Sequence, residues 1–149
     1  MPDEDLSRFA YEVSQLMPDI LRQFLRRQTK EIAQGNITLP QILILDILKD
    51  RISMRMGELA EYLAVSMAAT TGIVDKLVRN GFVIRTGSPR DRRIVNINIT
   101  PKGKRAVEKY NQARQKAIIE MFGGLTALER SQYLEILSKL RRHIKESRV

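Results

Sequence analysis

The sequence predicts a mainly α-helical fold with one small β element, and two patterns carry that expectation. Through most of the chain apolar residues recur at three- and four-residue steps, the period of a helix face. Only residues 82–99 break the rhythm: behind a Gly-Ser-Pro turn, RIVNINI alternates apolar and polar side chains, the period of a strand. With 149 residues, 43% hydrophobic and 29% charged, the chain has the size and balance of one globular domain.

Taken in order, Leu6, Phe9, Ala10, Val13, Leu16, Met17, Ile20, Leu21, Phe24 and Leu25 mark one face of a long helix. Pro18 lies inside it, so the helix either kinks there or gives way to a second one. Gly35-Asn36 is a stop signal and Thr38 a cap for the next helix, where Pro40 is tolerable in the first turn. That helix, Leu39 to about Lys49, is apolar nearly all round and is expected at the centre of the core. Two short helices should flank Ala64-Val65-Ser66. Leu59, Ala60 and Leu63 give the first an inner face. Ser66 caps the second, which turns Thr70, Ile73, Val74 and Leu77 inward.

Gly81 should end that helix. Phe82–Arg85 reads as a strand, 86–92 as a turn and Arg93–Ile99 as the returning strand, with Val95, Ile97 and Ile99 on one face. Two helices followed by a hairpin form a winged helix-turn-helix, a fold that uses its second helix and its hairpin on nucleic acid. Thr100-Pro101 opens a further helix that runs to about Phe122 and stops at Gly123-Gly124. Thr126 and Glu129 have capping-box spacing for a last helix striped by Leu134, Ile136, Leu137, Leu140 and Ile144.

The outer helices carry apolar stripes too long for the compact middle to cover. Pairing of two chains would cover them, and helix-turn-helix proteins commonly read two half-sites with two copies. The chain is therefore divided as one domain, 1–149, with a DNA-binding lobe at 38–99 and dimerisation helices at 5–34 and 100–147.

Composition narrows the functions. Lys and Arg total 26 against 17 acidic residues, a net charge of +9, which draws the protein to a polyanion. The charge is uneven: Arg79, Arg85, Arg90, Arg92, Arg93, Lys102, Lys104 and Arg105 are opposed over that stretch only by Asp91, whereas Asp3 to Asp19 leans acidic. No run of about 18 apolar residues is present and the N-terminus is acidic, so no membrane association and a cytoplasmic location are expected. With no cysteine and a single histidine, His143, no metal or cofactor is expected. Neither GxGxxG, P-loop, HExxH nor Gly-x-Ser-x-Gly occurs, and an enzyme is not expected.

On the second short helix the solvent side shows Met67, Ala68, Thr71, Gly72, Asp75, Lys76 and Arg79, the face that would enter a major groove. It lacks Arg, Asn or Gln near its N-terminal end, so direct base reading should be thin. Ala68 and the Thr71 methyl suit thymine methyls, while the Ser66 and Thr71 hydroxyls suit phosphate or a base edge. Gly72 costs about 1 kcal/mol inside a helix relative to alanine. Close packing within the protein and close approach of the DNA backbone both explain it. The hairpin turn would hold Arg90, Arg92 and Arg93 out toward a narrow minor groove, with Asp91 orienting Arg93.

The stretch ELAEYLAVSMAATTGIVDKLVRNGFVIR followed by SPRDRRIVNINITPKG resembles the core of the MarR (multiple-antibiotic-resistance regulator) family, whose wing carries an Asp-x-Arg pattern matched by Asp91 and Arg93. Its Leu-Thr-x-x-Gly-like helix start is matched by Ile99, Thr100 and Gly103, and ITLPQILILDIL and GGLTALERSQYLEIL extend the likeness to nearly the whole chain. The resemblance implies a homodimer on a pseudo-palindromic double-stranded DNA operator, usually repressing transcription until a small-molecule effector, phenolic or lipophilic, weakens binding. It also implies an effector cavity, for which Met17, Phe24, Tyr110 and Met121 are candidates, although residues of this kind at helical spacing also serve as plain core. Two departures stand out: Gly72 replaces a residue that is often basic or polar, and the lack of cysteine excludes the thiol-sensing branch. The competing reading is a winged domain used for protein–protein assembly or RNA.

Overall fold

The computed structural model describes residues 4–34, 37–91 and 93–147, without the side chains of 27–34. The order of elements is α1 (Glu4–Gln34), α2 (Leu39–Lys49), β1 (Met54–Arg55), α3 (Met56–Leu63), α4 (Met67–Arg79), β2 (Val83–Gly87), β3 (Val95–Ile99), α5 (Pro101–Phe122) and α6 (Ala127–Glu146). The chain divides into two compact units, Met1–Arg114 and Gln115–Val149.

In the first unit, α1 continues unbroken through Pro18, which excludes the split into two helices. Proline offers no N–H to the carbonyl of Ser14, but residues 14–22 are all exposed, so water can take that bond. The expected stop at Gly35-Asn36 lies outside the described residues. At the start of α2 the Gln41 side chain, itself buried, accepts the Thr38 N–H at 2.8 Å. Ile44, Leu45 and Leu48 then form the centre of the core with Leu59 of α3, Val74 and Leu77 of α4, Val83 of β2, Ile97 of β3 and Val107 of α5. Burying each such aliphatic side chain is worth about 1.5–3 kcal/mol, and this cluster is what holds the lobe together.

The turn between α3 and α4 is made by Ala64 in the left-handed region (φ 54), with the Val65 N–H donating to the Ala60 carbonyl at 3.1 Å. After α4 the chain reverses at Gly81 (φ 74), where the Phe82 N–H reaches back to the Leu77 carbonyl at 2.9 Å. The sheet has three antiparallel strands in the order β1-β3-β2. Met54 pairs with Ile97, and Val83, Arg85 and Gly87 pair with Ile99, Ile97 and Val95.

Two sequence expectations are corrected here. Strand β1 was not anticipated, because two residues show no alternation and its partner lies some forty positions downstream. The hairpin strands sit at 83–87 and 95–99, so the turn spans 88–94 and not 86–92; Thr86 stays in the ladder opposite Asn96, and its hydroxyl donates to Asn98 Oδ1 at 2.7 Å. Of the three residues expected on one face, Ile97 is buried, Ile99 is half-buried and Val95, beside the loop, is exposed.

Helix α5 docks on the sheet at its first turn. Thr100 Oγ1 donates to the Gly81 carbonyl at 2.7 Å and accepts the Gly103 N–H at 3.1 Å. A Cβ at Gly103 would sit 2.3 Å from the Phe82 carbonyl oxygen and 2.7 Å from Ile99 Cγ1, so only glycine fits. Further along, Asp46 of α2 accepts from Lys49 Nζ at 2.8 Å and from Asn111 Nδ2 of α5 at 3.3 Å. Burial pushes the Asp46 carboxyl up, but these hydrogen bonds outweigh it and hold the group below its ordinary value.

In the second unit, Thr126 Oγ1 caps α6 by accepting the Glu129 N–H at 3.3 Å while Glu129 Oε2 accepts the Thr126 N–H at 2.7 Å, the reciprocal pair expected from sequence. Phe122 and Tyr133 close the turn with ring centroids 5.0 Å apart. Nothing on α6 is buried.

Candidate nucleic-acid interface

The candidate surface begins at the start of α4, where Ser66 has extended backbone and its hydroxyl oxygen accepts the Ala69 N–H at 3.2 Å. That bond uses the oxygen and leaves the Ser66 proton to donate, which suits phosphate. Thr71 is the reverse: its hydroxyl donates to the Met67 carbonyl at 2.8 Å, so its oxygen is left to accept and its methyl to touch apolar edges. The two hydroxyls therefore have different chemistry, a division that the residue types alone do not show.

Thr70, Val74 and Leu77 are buried and Ile73 is half-buried, as the helical spacing requires. Met67, Ala68, Thr71, Gly72, Lys76 and Arg79 are exposed on the other side. Around Gly72, no described atom beyond its chain neighbours and the local backbone of its own helix lies within 4 Å of where a Cβ would stand. Close packing inside the protein is thereby removed as the reason for that glycine.

The wing loop is tied by its own backbone. Ser88 N–H donates to the Ile94 carbonyl and Ile94 N–H to the Asp91 carbonyl, both at 3.0 Å. Arg90 N–H reaches Ser88 Oγ at 3.3 Å, and Arg93 N–H reaches Asp91 Oδ1 at 2.9 Å. Asp91 was expected to orient the Arg93 side chain; the bond it makes is to the Arg93 main chain. A side chain two residues back closes an Asx-type turn more readily than it reaches outward to a guanidinium. Arg90, Asp91 and Arg93 are exposed, and Arg92 lies outside the described residues.

Beside the wing lies an open cleft of about 440 Å³ lined by Arg55, Met56, Gly57, Arg85, Arg93, Ile94 and Val95. Three guanidinium-bearing residues thus share one apolar-backed hollow, and among the described residues no carboxylate lines it. Arg85 stands across from Ile97 in the ladder and reaches sideways to Asp75 of α4, with Nη2 2.5 Å from Oδ1. Sequence reasoning placed Asp75 on the outer face of α4 and Arg85 in the basic stretch but missed the pair. The register of α4 against β2 is what joins them. Arg55 was missed for a like reason, since it depends on β1.

The residues expected to line an effector cavity are placed differently from one another. Tyr110 is buried in the core of the first unit, with Arg114 Cζ 5.6 Å from its ring centroid, and burial pushes its phenol up. Met17 is exposed and Phe24 half-buried on α1, while Met121 is half-buried in the second unit. The two clefts described, one by the wing and one at Ile47, Arg51, Met54, Glu58, Glu61 and Tyr62, are lined by other residues. Among the described residues no three His, Cys, Asp or Glu side chains come together as metal ligands, and no helix is long and apolar enough to cross a membrane.

The model of the MarR family matches residues 37–95, the segment from α2 to the start of β3. The chain is 31% identical over 122 residues to YsmB of Bacillus subtilis, an uncharacterised HTH-type transcriptional regulator, covering 81% of this chain and 84% of YsmB. It is 26% identical over 138 residues to the HTH-type transcriptional repressor MdtR of the same organism, covering 93% and 86%. Among solved structures, that of a MarR family protein from Bacillus stearothermophilus superposes with a TM-score of 0.82 at 27% identity, covering 93% of this chain and 97% of that one.

Proposed function

The chain belongs to the MarR family of winged-helix transcriptional regulators, and from that premise we propose that it is a repressor that binds a pseudo-palindromic operator as a homodimer. In this reading α4 enters the major groove, and the wing arginines Arg90, Arg92 and Arg93 enter the flanking minor groove. The observation that carries it is the pairing of a nearly uncharged outer face at the start of α4 with exposed arginines on a tied hairpin loop beside it. Such a surface reads shape and potential at the wing more than bases at the helix.

Two copies are supported by the apolar stripes of α1 and α6, which include Phe9, Ile20, Leu134 and Leu137, each at least 42% exposed in the single chain. Repression is supported by the likeness to MdtR. A phenolic or lipophilic effector that lowers DNA affinity completes the reading on family resemblance, with Met17, Phe24, Tyr110 and Met121 as the residues to vary in a search for it. The protein would act in the cytoplasm, where its DNA is.

Arg93→Ala should weaken operator binding by about 1–3 kcal/mol without unfolding the protein, and Thr71→Ala should alter base preference less than Arg93→Ala alters affinity. Anisotropy titrations over a salt series, beside circular dichroism and binding to a randomised duplex pool, measure both. Duplex binding should fall steeply with log salt, with a slope set by roughly six to ten neutralised phosphates. A flat salt response would point to protein–protein assembly instead.

A further inference from the structure

We infer that Asp75 is a specificity-determining residue: it holds Arg85 in an ion pair inside the chain and so withholds a phosphate contact that any DNA sequence would otherwise offer that guanidinium. The inference rests on the DNA-binding reading above and adds to it a residue that opposes binding. Within α4 Asp75 is the single acidic residue, and it lies on the side of the helix that carries Thr71, Gly72 and Arg79. A carboxylate there repels phosphate, so its presence costs affinity unless it does something else.

What it does is visible at Arg85. The guanidinium and the carboxylate meet at 2.5 Å with side chains 36% and 45% exposed, close enough to solvent for DNA to reach either. Arg85 also lines the cleft shared with Arg55 and Arg93, which no carboxylate lines among the described residues. Asp75 takes Arg85 Nη2 and sets its negative charge against that of the guanidinium, so a phosphate approaching Arg85 meets an arginine already paired and partly neutralised. Phosphate contacts raise affinity for every sequence alike, and on unrelated DNA they supply nearly all the binding.

The same pair joins α4 to β2, the recognition helix to the wing. On a true operator both elements must reach neighbouring grooves together, and the pair fixes their register. On unrelated duplex no such alignment is needed. Breaking the pair therefore hands unrelated DNA one more phosphate contact while taking alignment from the operator complex.

The test uses the full chain, a duplex selected by it from a randomised pool, and a scrambled duplex of equal length, titrated by anisotropy across a salt series. Asp75→Asn should raise affinity for the scrambled duplex about threefold to tenfold and steepen its salt slope by about one phosphate. Affinity for the selected duplex should stay level or fall, so the ratio between the two drops. Asp75→Glu, which keeps the charge, should restore the ratio. Arg85→Gln alone should leave the scrambled-duplex slope unchanged, and added to Asp75→Asn it should cancel the extra slope. Circular dichroism confirms folding of each variant. An unchanged slope and ratio in Asp75→Asn, or a gain that survives Arg85→Gln, overturns the inference while wild-type binding leaves the DNA reading intact. A wild-type chain that binds neither duplex removes both.

Discussion

Helix α2 is apolar nearly all round and helix α6 carries one apolar stripe, and the two dispose of their apolar surface in opposite ways. On α2, Ile44, Leu45 and Leu48 have no exposed surface at all; on α6, Leu134, Ile136, Leu137, Leu140 and Ile144 are each more than 40% exposed. Periodicity fixes that a helix forms and which face is apolar, but it is silent on what covers the face. The lobe around α2 covers itself with α3, α4, the sheet and the start of α5. An uncovered stripe the length of α6 is larger than monomers usually leave in water, and a second copy of the chain is the cover proposed for it.

The largest expected effect tests the covered side. Leu48→Ala removes a fully buried side chain and should cost about 2–5 kcal/mol, at any protein concentration. Leu137→Glu should behave differently, placing a charge in the proposed interface and weakening dimerisation by about 3 kcal/mol, or a hundredfold in dissociation constant, while the lobe keeps its own core. Urea unfolding at several concentrations together with sedimentation separates the two. The comparison breaks if Leu137→Glu lowers stability independently of concentration, because α6 would then be covered by its own chain.

A second contrast lies within the lobe, between two glycines. At Gly103 an added methyl meets the Phe82 carbonyl and Ile99, neither free to move, and Gly103→Ala should cost about 1–3 kcal/mol. At Gly72 an added methyl meets nothing, and Gly72→Ala should raise stability by about 0.5–1 kcal/mol from helix propensity alone. If DNA comes as close to the backbone there as the open space invites, the same variant binds the operator more weakly. Thermal melts and anisotropy on one preparation would show the two quantities moving in opposite directions. Equal or better binding would mean that Gly72 has no part in the contact.

These contrasts also mark what was legible in the sequence. The caps at Ser66 and Thr126 and the inward face of α4 were readable because each is decided by residues within one or two turns of helix. The wing was readable as a basic turn before an alternating run. Strand β1, the Asp75–Arg85 pair and the arginine cleft were not, since each joins residues ten to forty positions apart whose meeting depends on how helix packs on sheet. Asp91 illustrates the finer limit: its motif was recognised, but whether its carboxylate serves a side chain or a main chain depends on loop geometry. The unbroken course of α1 through Pro18 was likewise open, because an interior proline is compatible with a continuous helix as well as with a break.

The smallest predicted effect concerns the polar link between α2 and α5. Asp46 has a folded-state pKa below its ordinary 3.8, so the unfolded chain binds more protons at low pH. Its contribution to stability is therefore full above about pH 4 and is lost as the pH falls through the folded value. Lys49 is shifted upward by its hydrogen bond to the same carboxylate, so its contribution is full below its ordinary 10.5 and is lost as the pH rises through the folded value. One ion pair thus supports a plateau with a limb at each end. Asp46→Asn should flatten both limbs and cost about 1 kcal/mol or less at neutral pH, since the pair is only partly shielded from water. Melting temperatures of the two proteins, followed from acid to alkaline pH, would show converging curves at both extremes; a constant offset would mean that Asp46 acts through packing and not through its charge.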